Sequence, residues 1–177
     1  ISNESEYIFV KGGNLNIIER PLIIAHENNT EVFINGNSTP DRVLNIGDYY
    51  AIDGSLYTSN RNLYVKTSKP TFAYQSIGGT SQANQQLFFV PPLNCSTPKI
   101  VDNIPKINEI GNLKTYTGVV NIVTQTGAKV EINGTQIGVP SIPINGNPDF
   151  VYYSVTGLDG DISIKSGKQV YVSYYGT

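Results

Sequence analysis

The chain has 177 residues, 39% of them hydrophobic and 15% charged, with a net charge of -2, enough to bury one large core or two small ones. A faintly acidic chain without runs of like charge lacks the basic stripe of a nucleic-acid binder and any polybasic membrane attachment. No apolar stretch nears the length of a membrane-spanning helix, so no membrane insertion is expected.

The first residues, ISNESEYIF, have neither a charged leader nor an apolar signal core, and the chain starts at Ile1 with no Met anywhere. This reads as an excised or processed segment of a longer protein. Cys95 is the single cysteine, which excludes an internal disulfide; a small buried hydrophobe is the expected role.

Period-2 alternation predominates over helical spacing. Glu6 to Lys11 reads as an N-terminal strand. Leu22 to His26, a turn at Asn28-Asn29 and Glu31 to Ile34 read as a hairpin, followed by the strong turn signal Asn35-Gly36. Strands are expected near Tyr49 to Ile52, Leu63 to Lys66 and Thr71 to Gln75. The pattern then returns: Val119 to Gln125, a turn at Thr126-Gly127, Lys129 to Ile132, Asn133-Gly134, Phe150 to Val155, Ile162 to Lys165 and Gln169 to Tyr175. VFING (Val32 to Gly36) recurs as VEING (Val130 to Gly134), Asp48-Tyr49-Tyr50 as Asp149-Phe150-Val151, and KTSKPTF (Lys66 to Phe72) as KSGKQVY (Lys165 to Tyr171). Matches in the same order at nearly one offset indicate an internal repeat.

Between the copies, Ile77 to Tyr116 opens polar, turns apolar at Leu87-Phe88-Phe89-Val90 and meets Pro91-Pro92. Four apolar residues in a row predict a strand covered on both faces, ended by prolines that cannot donate to a ladder. The expected fold is all-β: duplicated β-sandwich-like lobes, 1–76 and 117–177, packed together through the Pro-rich, apolar central segment 77–116 as one folding unit. Lys129 and Glu131 mark a wet outer face in the second copy, whereas Phe33 at the matching position predicts an additional covered surface in the first.

TSKPTFAYQSIGG (Thr67 to Gly79), ANQQLFFVPPLNCSTP (Ala83 to Pro98), VDNIPKINEIG (Val101 to Gly111) and VYVSYYG (Val170 to Gly176) resemble the N-terminal region of the IgG-Fc-binding-protein family, especially its bacterial members. The resemblance implies an exported or cell-surface protein of the kind that type IX secretion sorts in Bacteroidetes, with a binding or adhesive role. It carries over no ligand residues.

Residues with chemical potential are few. His26 is the only histidine, which excludes a multi-histidine metal site. Asp41, Asp48, Asp53, Asp149, Asp159 and Asp161 could supply the paired acids of glycoside hydrolysis, but each lies in or beside a predicted turn, where Asp serves the local backbone. Asp159-Gly160-Asp161 is a weak calcium candidate because two carboxylates fall short of the oxygens calcium needs. No cofactor or catalytic residue is expected.

Twelve tyrosines stand beside no tryptophan, and tyrosine suits recognition because it offers contact area at low entropic cost. Tyr57, in the loop SLYTSNRN with Asn60 and Arg61, is expected to be exposed and, with Tyr50 and Tyr64, to form a ligand-binding set. The expected function is a non-catalytic binding or adhesion module, extracellular or cell-surface, recognising protein or glycan beside neighbouring domains of a longer chain. The alternatives are a structural spacer in a surface fibre and a carbohydrate-binding module attached to an enzyme.

Overall fold

Apolar and polar side chains alternate along most of the chain, and among the described residues the regular elements are accordingly strands, apart from one 3-10 turn at Gly54–Leu56. The computed structural model describes residues 4–78, 87–94, 96–110 and 114–176. Cys95 and the polar stretch 79–86 lie outside the described residues. The chain divides into two compact units, Ile1–Leu93 with Ile144–Asn147, and Asn94–Pro143 with Pro148–Thr177.

The first unit contains β1 (Ser5–Val10), β2 (Leu22–Ala25), β3 (Thr30–Ile34), β4 (Arg42–Leu44), β5 (Tyr49–Ala51), β6 (Asn62–Thr67), β7 (Thr71–Ser76) and β8 (Leu87–Phe89). They form two antiparallel sheets, β1-β6-β3-β4 and β5-β2-β7-β8. Alternate residues of both sheets, including Phe9, Ile23, Val32, Leu63, Val65 and Ala73, meet in one core, as a sandwich requires.

The second unit contains β9 (Ile100–Ile104), β10 (Glu109–Ile110), β11 (Lys114–Thr115), β12 (Gly118–Gln125), β13 (Val130–Ile132), β14 (Thr135–Gln136), β15 (Ile142–Pro143), β16 (Phe150–Leu158), β17 (Ile162–Ser166) and β18 (Val170–Gly176). Its sheets are β14-β13-β17-β9 and β15-β16-β12-β18, with β10 and β11 paired separately. Val120, Ile122, Val130, Ile132, Ile162 and Ile164 belong to its core. Of the predicted central segment, β8 joins the first unit, and β9 to β11 join the second.

Two sequence expectations are corrected here. Neighbouring strands β2 and β3 do not form a hairpin; they are divided between the two sheets. The β2–β3 connection is held by its own polar groups, Thr30 Oγ1 donating to Glu27 O (2.8 Å) and Ile46 N to Asn28 Oδ1 (3.0 Å). Strands placed opposite one another can bury Ile23 and Val32 in one core, which a flat hairpin would set side by side. The apolar run of β8 is also not covered on both faces: Phe88 packs on the core, while Leu87 and Phe89 are 51% and 50% exposed.

The Asn-Gly signals hold. Asn35 and Gly36 have φ of 52° and 78°, and Asn133 and Gly134 have 49° and 76°, the positive values a type I′ turn needs at both central positions. At the second of these, Ile132 pairs with Thr135 across a two-residue hairpin.

Candidate functional site

Cross-strand pairing in β5-β2-β7-β8 decides which side chains share its outward surface. Tyr49 stands opposite Ile24, which stands opposite Phe72. One step along, Ala51, Leu22, Tyr74 and Phe89 form a second row across all four strands. Ile23, Ala25 and Ala73, on the other phase, fill the core. The outward rows are aromatic and uncharged, with Tyr49 69% and Phe72 50% exposed.

The rings on this face are arranged against one another. Tyr74 meets Phe89 edge-on, centroids 5.8 Å apart, and the imidazole of His26 lies 5.5 Å from the ring of Phe72. Such geometries are favourable for aromatic pairs. Exposed apolar surface gathered on one sheet face is a mark of an interaction site, unlike scattered single residues.

A polar groove of about 760 Å³ adjoins this face, lined by residues that include Arg20, Arg42, Asp48, Tyr49, Tyr50 and Asp53. It follows the edge strands β4 and β5, one from each sheet. The Tyr50 hydroxyl donates to Asp41 Oδ2 (2.6 Å), and the Arg42 guanidinium lies 5.0 Å from the Tyr50 ring centroid. Burial, reinforced by the Asp41 hydrogen bond and charge, pushes the Tyr50 phenol up to about 12. Arg20 donates to Ala51 O (3.0 Å). Asp48 accepts from Asn45 N (2.9 Å), and Asp53 accepts from Ser55 N (2.8 Å), which lowers the Asp53 carboxyl below its ordinary range. These acids are thus occupied with turn backbone or a phenol.

The five residues expected to form one binding set do not come together. Tyr50 lines the groove just described, whereas Tyr64 borders a separate groove of about 400 Å³ with Phe33, Lys66 and Ser68. Burial first, then the charge of Glu6, raises the Tyr64 phenol well above its ordinary value.

Tyr57 is a correction. Its ring is 9% exposed and belongs to the first unit's core, and burial drives its phenol strongly upward. The turn Gly54–Leu56 packs so closely on the 11–21 loop that a Cβ on Gly54 would stand 2.5 Å from Asn16 O. That packing leaves Tyr57 directed inward. Arg61 secures the same loop, donating to Gly13 O (2.8 Å) and Asn14 Oδ1 (2.9 Å), and Asn60 Nδ2 donates to Asn145 Oδ1 (3.0 Å). Both are framework contacts.

Sequence reasoning also missed Glu19, which is fully buried. Its carboxylate accepts from the amides of Gly12 (2.8 Å), Gly13 and Gly78 (3.2 Å) and so ties the 11–21 loop to the chain at Gly78. At the calcium candidate, Asp161 Oδ1 accepts from Lys106 N (3.0 Å) and Asp161 O from Asn133 Nδ2 (3.1 Å). Among the described residues no three His, Cys, Asp or Glu side chains gather as a metal centre would require.

The family model described as IgGFc binding protein matches residues 2–176. The chain belongs to that family. No curated protein matches the chain. A solved structure, the anti-sigma factor domain-containing protein from Clostridium clariflavum, is similar at 8% identity and a TM-score of 0.22, covering 98% of this chain and 78% of that one. Membership in a family described by what it binds points to a binding module. Among the described residues no helix is long and apolar enough to cross a membrane.

Proposed function

We propose that this chain is a non-catalytic recognition module of a secreted or cell-surface bacterial protein, and that it captures a protein partner on the outward face of β5-β2-β7-β8. The observation that carries this reading is the aromatic surface of Tyr49, Phe72 and Phe89, each at least half exposed. Large rigid side chains at the centre of a patch are where binding energy concentrates in protein complexes. The groove with Arg20, Arg42 and Asp48 supplies the polar rim that such an interface has. Aliphatic Leu22 and Ile24 between the rings favour a protein over a glycan, whose hydroxyls need a denser set of polar partners. The two strand orders, which agree strand for strand over most of both sheets, support a duplicated display scaffold within a longer chain.

The test immobilises the full chain and presents the immunoglobulin G Fc fragment, the protein that the family description names, together with a glycan array. Binding of the Fc fragment is expected to fall roughly tenfold or more in Phe72→Ser and in Tyr49→Ser, as loss of an aromatic anchor does. Far-UV circular dichroism should be unchanged, since both positions face outward. Failure of the Fc fragment to bind, unchanged affinity in both variants, or binding confined to glycans would overturn this reading.

A further inference from the structure

β7 and β18 hold matching places, each beside the central strand of its sheet, β2 or β12. Aligning KTSKPTF with KSGKQVY sets Thr71 with Val170, Ala73 with Val172 and Gln75 with Tyr174. The far edge of β7 is occupied by β8: Gln75 pairs with Phe88, and Val90 N donates to Ala73 O (2.9 Å). No described strand pairs with the far edge of β18.

The direction of the open groups is set by one bond. Val170 N donates to Pro98 O (3.0 Å), away from β12. Backbone groups alternate sides along a strand, so the N–H and C=O of Val172 and Tyr174 point to the same open edge. Exposure follows. Ala73 and Gln75 are 0% and 2% exposed behind β8, whereas Tyr174 is 55% exposed. Val172 packs against the second core but is only half-buried. Edge strands are ordinarily blunted by charge, proline or shortness; β18 is seven residues long, VYVSYYG, with no charge and no proline.

We infer that the free edge of β18 binds an extended, uncharged peptide strand from another protein, in the way β8 closes β7. The backbone groups of Val172 and Tyr174 form the ladder, and the partner's inward residue is a large apolar one that fills the seam beside Val172. Strand addition of this kind draws affinity from main-chain hydrogen bonds and specificity from alternate side chains. The site lies in the second unit, so its failure leaves the first unit's aromatic face untouched, and the converse.

The experiment uses the full chain and a capped peptide, QLFFVP, copied from residues 86–91, with a lysine tail for solubility. Amide hydrogen exchange at Val172 and Tyr174 is expected to be fast in the free protein and to slow roughly tenfold or more when the peptide saturates. A peptide N-methylated at the positions facing β18 should give no protection, and Tyr174→Lys should weaken binding while the fold is kept. The inference is overturned if both peptides protect equally, or if neither protects at about 1 mM, where even weak binding registers. Protection at Ala73 and Gln75 alone would mean that the peptide displaces β8, and is equally adverse. Concentration-dependent protection of Val172 without peptide would assign the edge to a second copy of the chain instead.

Discussion

In the first unit the strand orders are β1-β6-β3-β4 and β5-β2-β7, extended by β8; in the second they are β9-β17-β13-β14 and β16-β12-β18, extended on the opposite edge by β15. One polar device recurs in both. Asn35 accepts from Tyr64 N (3.2 Å) and donates to Leu56 O (3.1 Å), while Asn133 accepts from Ser163 N (2.7 Å) and donates to Asp161 O (3.1 Å). In each case an asparagine at the turn stands in for a ladder partner on the neighbouring strand. What recurs is therefore the frame, both apolar core and Asn-Gly clamp. What differs is how loops and edges are closed: a buried tyrosine and an added strand in the first unit, an open edge in the second. Recognition surfaces are to be sought among the differences.

The largest test of that contrast is Tyr57, which plugs the first unit. Tyr57→Ala should destabilise by about 3–5 kcal/mol, as aromatic truncation in a core does, read by chemical denaturation. The Tyr57 hydroxyl is buried without a hydrogen-bond partner among the described residues. Tyr57→Phe should therefore be neutral or stabilising by up to about 1 kcal/mol. A loss on Tyr57→Phe would show that the hydroxyl has a partner.

A matched pair of glycines comes next. Gly47 follows β4 with φ of 84° and open space around it; Gly146 follows β15 with φ of 87° and lies against Asn35 and Gly36 of its own unit. Gly47→Ala should cost only the left-handed strain, about 1 kcal/mol. Gly146→Ala adds overlap with backbone and should cost about 2 kcal/mol or more. Equal losses would remove the close approach from the account. Smaller still, Asn35→Ala and Asn133→Ala should each cost about 1–2 kcal/mol, from lost side-chain bonds and positive φ. If only one of them destabilises, the recurrence is one of sequence and not of energetics.

Strand positions and the Asn-Gly turns were legible because alternation and positive φ are local properties. Sheet membership was not: a four-residue connection such as 26–29 can close a hairpin or cross between sheets, and only long-range pairing decides. The outward face was hidden by the same alternation that revealed β7. In TFAYQS the large residues Phe72 and Tyr74 share one phase, and burial of the larger set is the natural expectation. The structure buries Ala73 and Gln75 instead, because Tyr7, Phe9 and Leu63 from the opposite sheet already supply the core's volume. Tyr57 was misread for a related reason, since a loop without apolar rhythm gives no sign of what packs over it.

The finest distinction between the units is the hydrogen bond of a single phenol. By strand pairing, Tyr50, opposite Ile23, takes the place that Tyr153, opposite Ile122, holds in the second unit, and Tyr50 is set apart by its hydrogen bond to Asp41. Burial, then Asp41, lifts Tyr50 to about 12, against an ordinary value of about 10. Folding thus favours the neutral phenol. Its contribution to stability is complete below the unfolded value and is lost as pH rises from about 10 through about 12. The difference in tyrosinate absorbance between the unaltered chain and Tyr50→Phe isolates this one group among the twelve tyrosines. Its midpoint should fall in Asp41→Asn while staying above the ordinary range, because burial is the larger cause and remains. A midpoint that returns fully to the ordinary value would make Asp41 the whole cause, and one that does not move would break the hydrogen bond that orders this groove.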